Sequence, residues 1–183
     1  LVNVHGYRKL LLLAGPETNM DSKEREKAFK DVVAKYNIEF SDAMLRRGNY
    51  SANCTEQVAE LLDAYPDADV LVCANDVMAI TICDILMERG YRVPDDVIIS
   101  GYDYSVESQS HYPRITSVRS RFLEMGMEAC RVLIDVLDGK EVEKETYLAD
   151  EVILDESCGC EDESAVYTET DSRLIRGEDI ARR

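Results

Sequence analysis

Apolar and polar positions follow two regimes along this chain. Continuous apolar runs occupy Lys9–Ala14, Ala68–Ala74 and Val97–Gly101. Short runs without alternation read as strands buried on both faces. Between them the apolar residues recur at helical spacing. Ala28, Phe29, Val32 and Val33 lie on one face of a helix from Ser22 to about Tyr36, capped by Asp21 or Ser22. Val58, Leu61 and Leu62 do the same in a helix over Ser51–Ala64, which a short strand near Ala43–Leu45 precedes. A third helix opens at Asp76, runs to Arg89 and stops at Gly90. After a loop to Pro113 come an extended piece, Ile115–Val118, an amphipathic helix, Phe122–Leu137, stopped by Gly139, and a last strand, Glu151–Leu154. Leu1–Gly6 reads as the last turn of a helix ending at a glycine cap, so the chain is expected to be a fragment of something longer. Strands alternating with helices predict an α/β fold, a parallel sheet with helices on both faces. No internal repeat is evident.

Sheets of this kind bind ligands beyond the carboxyl ends of their strands. That singles out the loops Pro16–Ser22, Gly48–Ser51, Ala74–Asp76 and Gly101–Ser105. Arg25 lies one turn into the first helix, Tyr50 follows Gly48-Asn49, and Asn75, Asp76 and Asp103 follow buried strands. Carboxylate and amide groups pair with hydroxyls, arginine supplies a rigid fork, and an aromatic ring packs on the apolar face of a sugar or base. Taken singly, Asp76 and Ser22 serve equally as helix caps, Arg25 as a solvated charge and Tyr50 as core. Asp103 has no evident capping duty. Their shared end of the sheet is the stronger argument.

Charge narrows the partners. The 183 residues carry 37 acids against 21 bases, a formal net charge of −16. A nucleic-acid face needs clustered lysine and arginine, and an anionic membrane attracts the same residues. No apolar run approaches the ~20 residues of a membrane span, and Leu1–Leu13 lacks the basic start of a signal peptide. Cys54, Cys73, Cys83 and Cys130 are scattered among apolar residues and read as core, which points to the cytoplasm. Cys158 and Cys160 form a close pair suited to metal or redox chemistry, but two ligands do not make a tetrahedral zinc site, so no metal is expected. Catalysis finds little material. Phosphate-binding glycine loops and the G-x-S-x-G elbow are missing, and the histidines number two, His5 and His111. Asp95-Asp96 follows Val93-Pro94 at the wrong end of a strand and reads as a solvated turn. From Glu141 onward 14 acids stand against 5 bases. The stretch 158–183 is expected to be an acidic tail or linker, with a weak helix around Leu174–Ile180.

Several motifs are familiar. Gly90-Tyr91-Arg92-Val93-Pro94-Asp95-Asp96-Val97, continuing to Gly101-Tyr102-Asp103, resembles the G-x-x-V-P-x-D-V-x-x-x-G-[FY]-D stretch of the LacI/GalR family. Ala74-Asn75-Asp76-Val77-Met78-Ala79 is similar to its A-N-D-x-M-A. Ser22, Arg25, Ala28 and Phe29 resemble its S-x-x-R-x-x-G-F, with Ala28 in place of the usual glycine. Gly15-Pro16 also fits, Pro113–Val118 resembles P-x-L-T-T-V, and Met125-Gly126 with Ala129 resembles M-G-x-x-A. The order is preserved from about Val4 to Ser157.

The resemblance implies the C-terminal lobe of a type I periplasmic-binding-protein-like domain over 1–157, with the helix at 122–138 crossing back to an N-terminal lobe that is absent. It implies ligand contacts from Arg25, Asn75 and Asp103, with Tyr50 as aromatic neighbour and Ser120 and Phe122 as further contacts. Asp76 is structural in that pattern. The function implied is sensing of a small molecule, a sugar or related metabolite, by ligand-driven lobe closure in a cytoplasmic, homodimeric transcriptional regulator. DNA is contacted only through a domain absent from this chain. No enzyme activity, cofactor or membrane contact is implied. The ending Asp155–Cys160 resembles that of sensors placed upstream of a diguanylate cyclase, which leaves a signalling enzyme as the alternative. An extracytoplasmic solute-binding protein is a further one.

Overall fold

The structure is a computed structural model that describes residues 1–160 and 166–168. The chain runs β1 (Leu10–Ala14), α1 (Met20–Lys35), β2 (Leu45–Arg47), α2 (Thr55–Ala64), β3 (Val70–Cys73), α3 (Asp76–Glu88) and β4 (Ile98–Ser100). It continues through α4 (Val106–Ser110), β5 (Ser117–Arg119), α5 (Phe122–Leu137), β6 (Glu151–Ile153) and β7 (Val166–Thr168).

Four strands form a parallel sheet in the order β2-β1-β3-β4, with Leu12 opposite Leu45, Leu11 opposite Leu71 and Leu71 opposite Ile99. A single parallel bridge from Ser100 to Thr116 leads into a second sheet. That sheet, β5-β6-β7, is antiparallel and was not anticipated from the sequence.

The sheet is buried on both faces, which explains the unbroken apolar runs. Leu11, Leu13, Leu71, Cys73 and Ile99 point to one side and pack with Val58, Leu61 and Leu62 of α2 and Met78, Ile82 and Leu86 of α3. Their neighbours Leu10, Val70 and Ile98 point to the other side and meet Val33 and Phe29 of α1, Ile38 and Leu154. Burying one such aliphatic side chain contributes about 1.5–3 kcal/mol, so the period-2 assignment of strand residues to two cores fixes the register.

Several boundaries differ from the expected ones. α1 starts at Met20, because Asn19, rather than Asp21 or Ser22, is its cap and accepts the Ser22 amide at 2.9 Å. α2 starts at Thr55, since Asn49 and Tyr50 take left-handed backbone with φ of 56° and 59° and keep the loop out of the helix. The strand expected at Ala43–Leu45 begins at Leu45, after a 3-10 turn at Asp42–Met44. Leu1–Gly6 forms bends rather than a helical turn, although Gly6 does have φ of +77°. Of the expected tail, Cys158 is buried at the end of a 3-10 turn and Val166–Thr168 adds the strand beside β6. The helix expected around Leu174–Ile180 lies outside the described residues.

Cys54, Cys73 and Cys83 are buried, as expected, but Cys130 is exposed. It lies on α5, which buries none of its residues. Phe122, Leu123, Leu133, Ile134 and Leu137 of this helix are all more than half exposed. Among the described residues, nothing covers the apolar face of this amphipathic helix. Among the described residues no helix is long and apolar enough to cross a membrane.

Candidate effector site

The strand order places a switch point between β1 and β3, where the connections leave in opposite directions. Arg25 bridges that point. It projects from α1, after β1, and its Nη1 donates to the carbonyl of Ala74, just beyond β3. The guanidinium lies flat enough on Tyr102 for its central carbon to sit 3.6 Å from the ring centroid, and it stands 5.8 Å from the ring of Tyr50. A planar cation over an aromatic face is an arrangement that lysine does not reproduce.

Asp103 faces the same cation, with Oδ1 3.6 Å from Arg25 Nη2. That is beyond direct hydrogen bonding, so both groups keep capacity for a bridging ligand. Partial burial pushes the Asp103 carboxyl above its usual range; Arg25 opposes the shift and Asp76 adds to it.

The loop that presents Asp103 is strained and clamped. Asp103 and Tyr104 have φ of 115° and 53°, conformations that cost on the order of 1–3 kcal/mol each. The buried carboxylate of Asp76 accepts the Ser105 amide at 2.7 Å and the Ser117 hydroxyl at 2.6 Å, while its own amide donates to the Tyr102 carbonyl at 2.9 Å. The Asp103 amide donates to the Val118 carbonyl at 2.9 Å. Gly101 is required here, since a Cβ would stand 2.2 Å from Asp76 Oδ1. Asp76 therefore shapes the site without facing it, as the motif implied.

Asn75 is the cap of α3, its Oδ1 accepting the Met78 amide at 3.1 Å. Its place between Ala74 and the helix sets it beside Arg25's anchor. Tyr50 packs across Gly15, where a Cβ would come within 2.4 Å of the ring. The Tyr50 hydroxyl and the Ser22 hydroxyl are buried with no hydrogen-bond partner among the described residues. Both line the same glycine.

The structure thus brings Arg25, Tyr50, Asn75 and Asp103 to one end of the sheet. Ser120 follows β5, the strand beside the Asp103 loop, and its carbonyl accepts the Phe122 amide at 3.0 Å. Phe122, two residues after Ser120, is 64 % exposed at the start of α5. Tyr102, which sequence reasoning passed over, forms the floor under Arg25 and donates to Asp150 at 2.5 Å. An aromatic residue directly after a buried strand was the available signal. A groove of about 1030 Å³ runs from this point along the α1 face of the sheet, past Ala28, Phe29, Leu12 and Val72. Of the candidate residues only Arg25 lines it, and its walls are largely apolar.

Residues 3–158 match the model of the periplasmic binding protein-like domain. The chain belongs to this family. It is 30 % identical to the HTH-type transcriptional regulator CelR of Thermobifida fusca over 75 % of this chain and 41 % of that protein. It is 32 % identical to the HTH-type transcriptional regulator AscG of Escherichia coli K12 over 76 % of this chain and 41 % of that protein. A solved structure of a transcriptional regulator CelR–cellobiose complex superposes with a TM-score of 0.75 at 29 % identity, covering 83 % of this chain and 47 % of that one. The chain therefore spans less than half the length of these curated relatives, and its sheet corresponds to one lobe of the ligand-binding domain. Both curated relatives are HTH-type transcriptional regulators.

Proposed function

We propose that this chain is the C-terminal effector-binding lobe of a LacI/GalR-type transcriptional regulator, and that its effector is a sugar or related polyhydroxylated metabolite. The observation that carries the reading is the placement of Arg25. A guanidinium stacked on Tyr102, tied to the end of β3 and held 3.6 Å from Asp103, offers donors and an acceptor around one small volume. Adjacent sugar hydroxyls bridge such a pair, and Tyr50 supplies an apolar ring face. The cellobiose complex of CelR supports a carbohydrate.

In this reading the effector closes a second lobe onto this one, and α5 carries the chain across to that lobe, which covers its apolar face. The change in lobe angle is passed to a DNA-binding domain elsewhere in the protein. The acidic charge of this lobe leaves DNA contact to that domain. The protein acts in the cytoplasm as a homodimer, without catalytic activity of its own.

The test is thermal melting of the intact protein with cellobiose, common pentoses and hexoses, and purines. One sugar at about 100 times its Kd should stabilise by about 2.7 kcal/mol, and Asp103→Ala should abolish that rise while leaving the unliganded melt in place. An equal rise in the variant removes Asp103 from the site. Stabilisation by a purine alone overturns the carbohydrate assignment.

A further inference from the structure

At the opposite end of the sheet the fold assembles a second constellation. Cys158, Cys160 and His5 place their ligand atoms within 4.8 Å of one another. Cys160 Sγ lies 3.5 Å from His5 Nε2. From the geometry we infer that this Cys2His set is a binding site for a thiophilic divalent cation of the zinc class, with three ligands supplied by the described residues.

The spacing suits the ion. Zinc takes sulfur at about 2.3 Å and imidazole nitrogen at about 2.0–2.1 Å, and two such ligands on a tetrahedral centre lie about 3.5 Å apart. The sequence showed only a C-x-C pair; the third ligand comes from 155 residues away. Local structure builds each part. Cys158 ends a 3-10 turn, and Gly159 at φ +85° turns the backbone between the two cysteines. Cys158 is 1 % exposed and packs in the α1-side core with Leu10, Val70 and Ile98, so one wall of the site is apolar. The His5 ring stacks on Tyr7 at 5.6 Å between centroids, which fixes its plane. On binding, each thiol releases its proton to solvent, and the imidazole coordinates in its neutral form. The ion would fasten the segment before β1 to the segment after β6.

A disulfide between Cys158 and Cys160 uses the same sulfurs but has no use for His5, and this decides the experiment. The intact protein, reduced and metal-stripped, is titrated with Zn2+ against a chromophoric chelator, and with Co2+ to read the thiolate-to-metal absorption. Wild type is expected to bind one ion that His5→Ala and Cys160→Ala both lose. Their affinity should fall by more than the roughly 10–100-fold that changes outside the ligand set produce. Cys130→Ala, on the exposed face of α5, should bind as wild type does. Far-UV circular dichroism and sugar binding confirm that the variants are folded. Zinc binding unchanged in His5→Ala overturns the proposal, as does no difference between wild type and Cys160→Ala. A Cys158–Cys160 disulfide in the isolated protein, with no zinc bound after reduction, also overturns it and makes the pair a redox couple.

Discussion

Asp76 gives the sharpest test of how the site is built. It is 1 % exposed and holds the Gly101–Ser105 loop through two hydrogen bonds to its carboxylate, from the Ser105 amide and the Ser117 hydroxyl. Hydrogen bonds to an ionised acceptor are worth about 1.5–3 kcal/mol each, and a donor left buried without a partner costs about as much. Asp76→Ala is therefore expected to destabilise the lobe by about 3–5 kcal/mol, the upper end reduced because a serine hydroxyl rotates to other partners. For a unit of this size that is a drop of roughly 6–20 °C in Tm. Asp76→Asn keeps one acceptor oxygen and should lose about half as much. Without the clamp, the left-handed backbone of Asp103 and Tyr104 is held only by the bonds of their amides to Val118 and Ser117, so effector affinity should fall together with stability. The assay is melting of both variants with and without effector, beside Asp103→Ala. Asp103→Ala should lose the effector response and keep the unliganded Tm. A shift below about 2 °C for Asp76→Ala, which is under 1 kcal/mol, would show that the carboxylate does not hold the loop.

Three further outcomes follow from the same contacts. The Asp103 carboxyl is raised by burial, so its folded-state pKa lies above its unfolded one. Its contribution to stability is present below the unfolded pKa and is lost as pH rises through the folded one; Asp103→Asn should flatten the fall of unliganded Tm across that acid-side window. Arg25→Lys keeps the charge but loses the flat stack on Tyr102, so effector affinity should drop about tenfold or more while stability moves by under about 1 kcal/mol; isothermal calorimetry and melting separate the two. Leu133→Gln and Leu137→Gln on α5 should change the stability of the isolated lobe by no more than about 0.5 kcal/mol, since neither residue is buried. In a protein with both lobes, the same changes should cost several times more.

What was legible in the sequence was whatever repeats locally. Strands buried on two faces announce themselves as Leu10–Ala14 and Val70–Cys73 do, because each residue reports its own burial. The parallel order then placed Arg25, Tyr50, Asn75 and Asp103 at one edge before any distance was known. Helix starts were less legible, because the residues at issue bind the backbone in more than one way. Asn19 outcompeted Asp21 and Ser22 as a cap, and Asn75 took the cap at α3, which freed Asp76 to fold the loop across from it. The left-handed backbone at Tyr50 and Asp103 has no local signature, since neither residue is glycine; Tyr50 is seated against Gly15, just after β1, and the Asp103 loop is held by Asp76 at the start of α3 and by the Val118 carbonyl of β5. Cys130 was misplaced for the converse reason. An apolar helical face reports that something covers it, and for α5 the described residues include no cover. His5 was the hardest to see. A histidine in bends before the first strand carries no sign of the two cysteines that the sheet brings back to it from the end of β6, and only the closed topology makes the three a set.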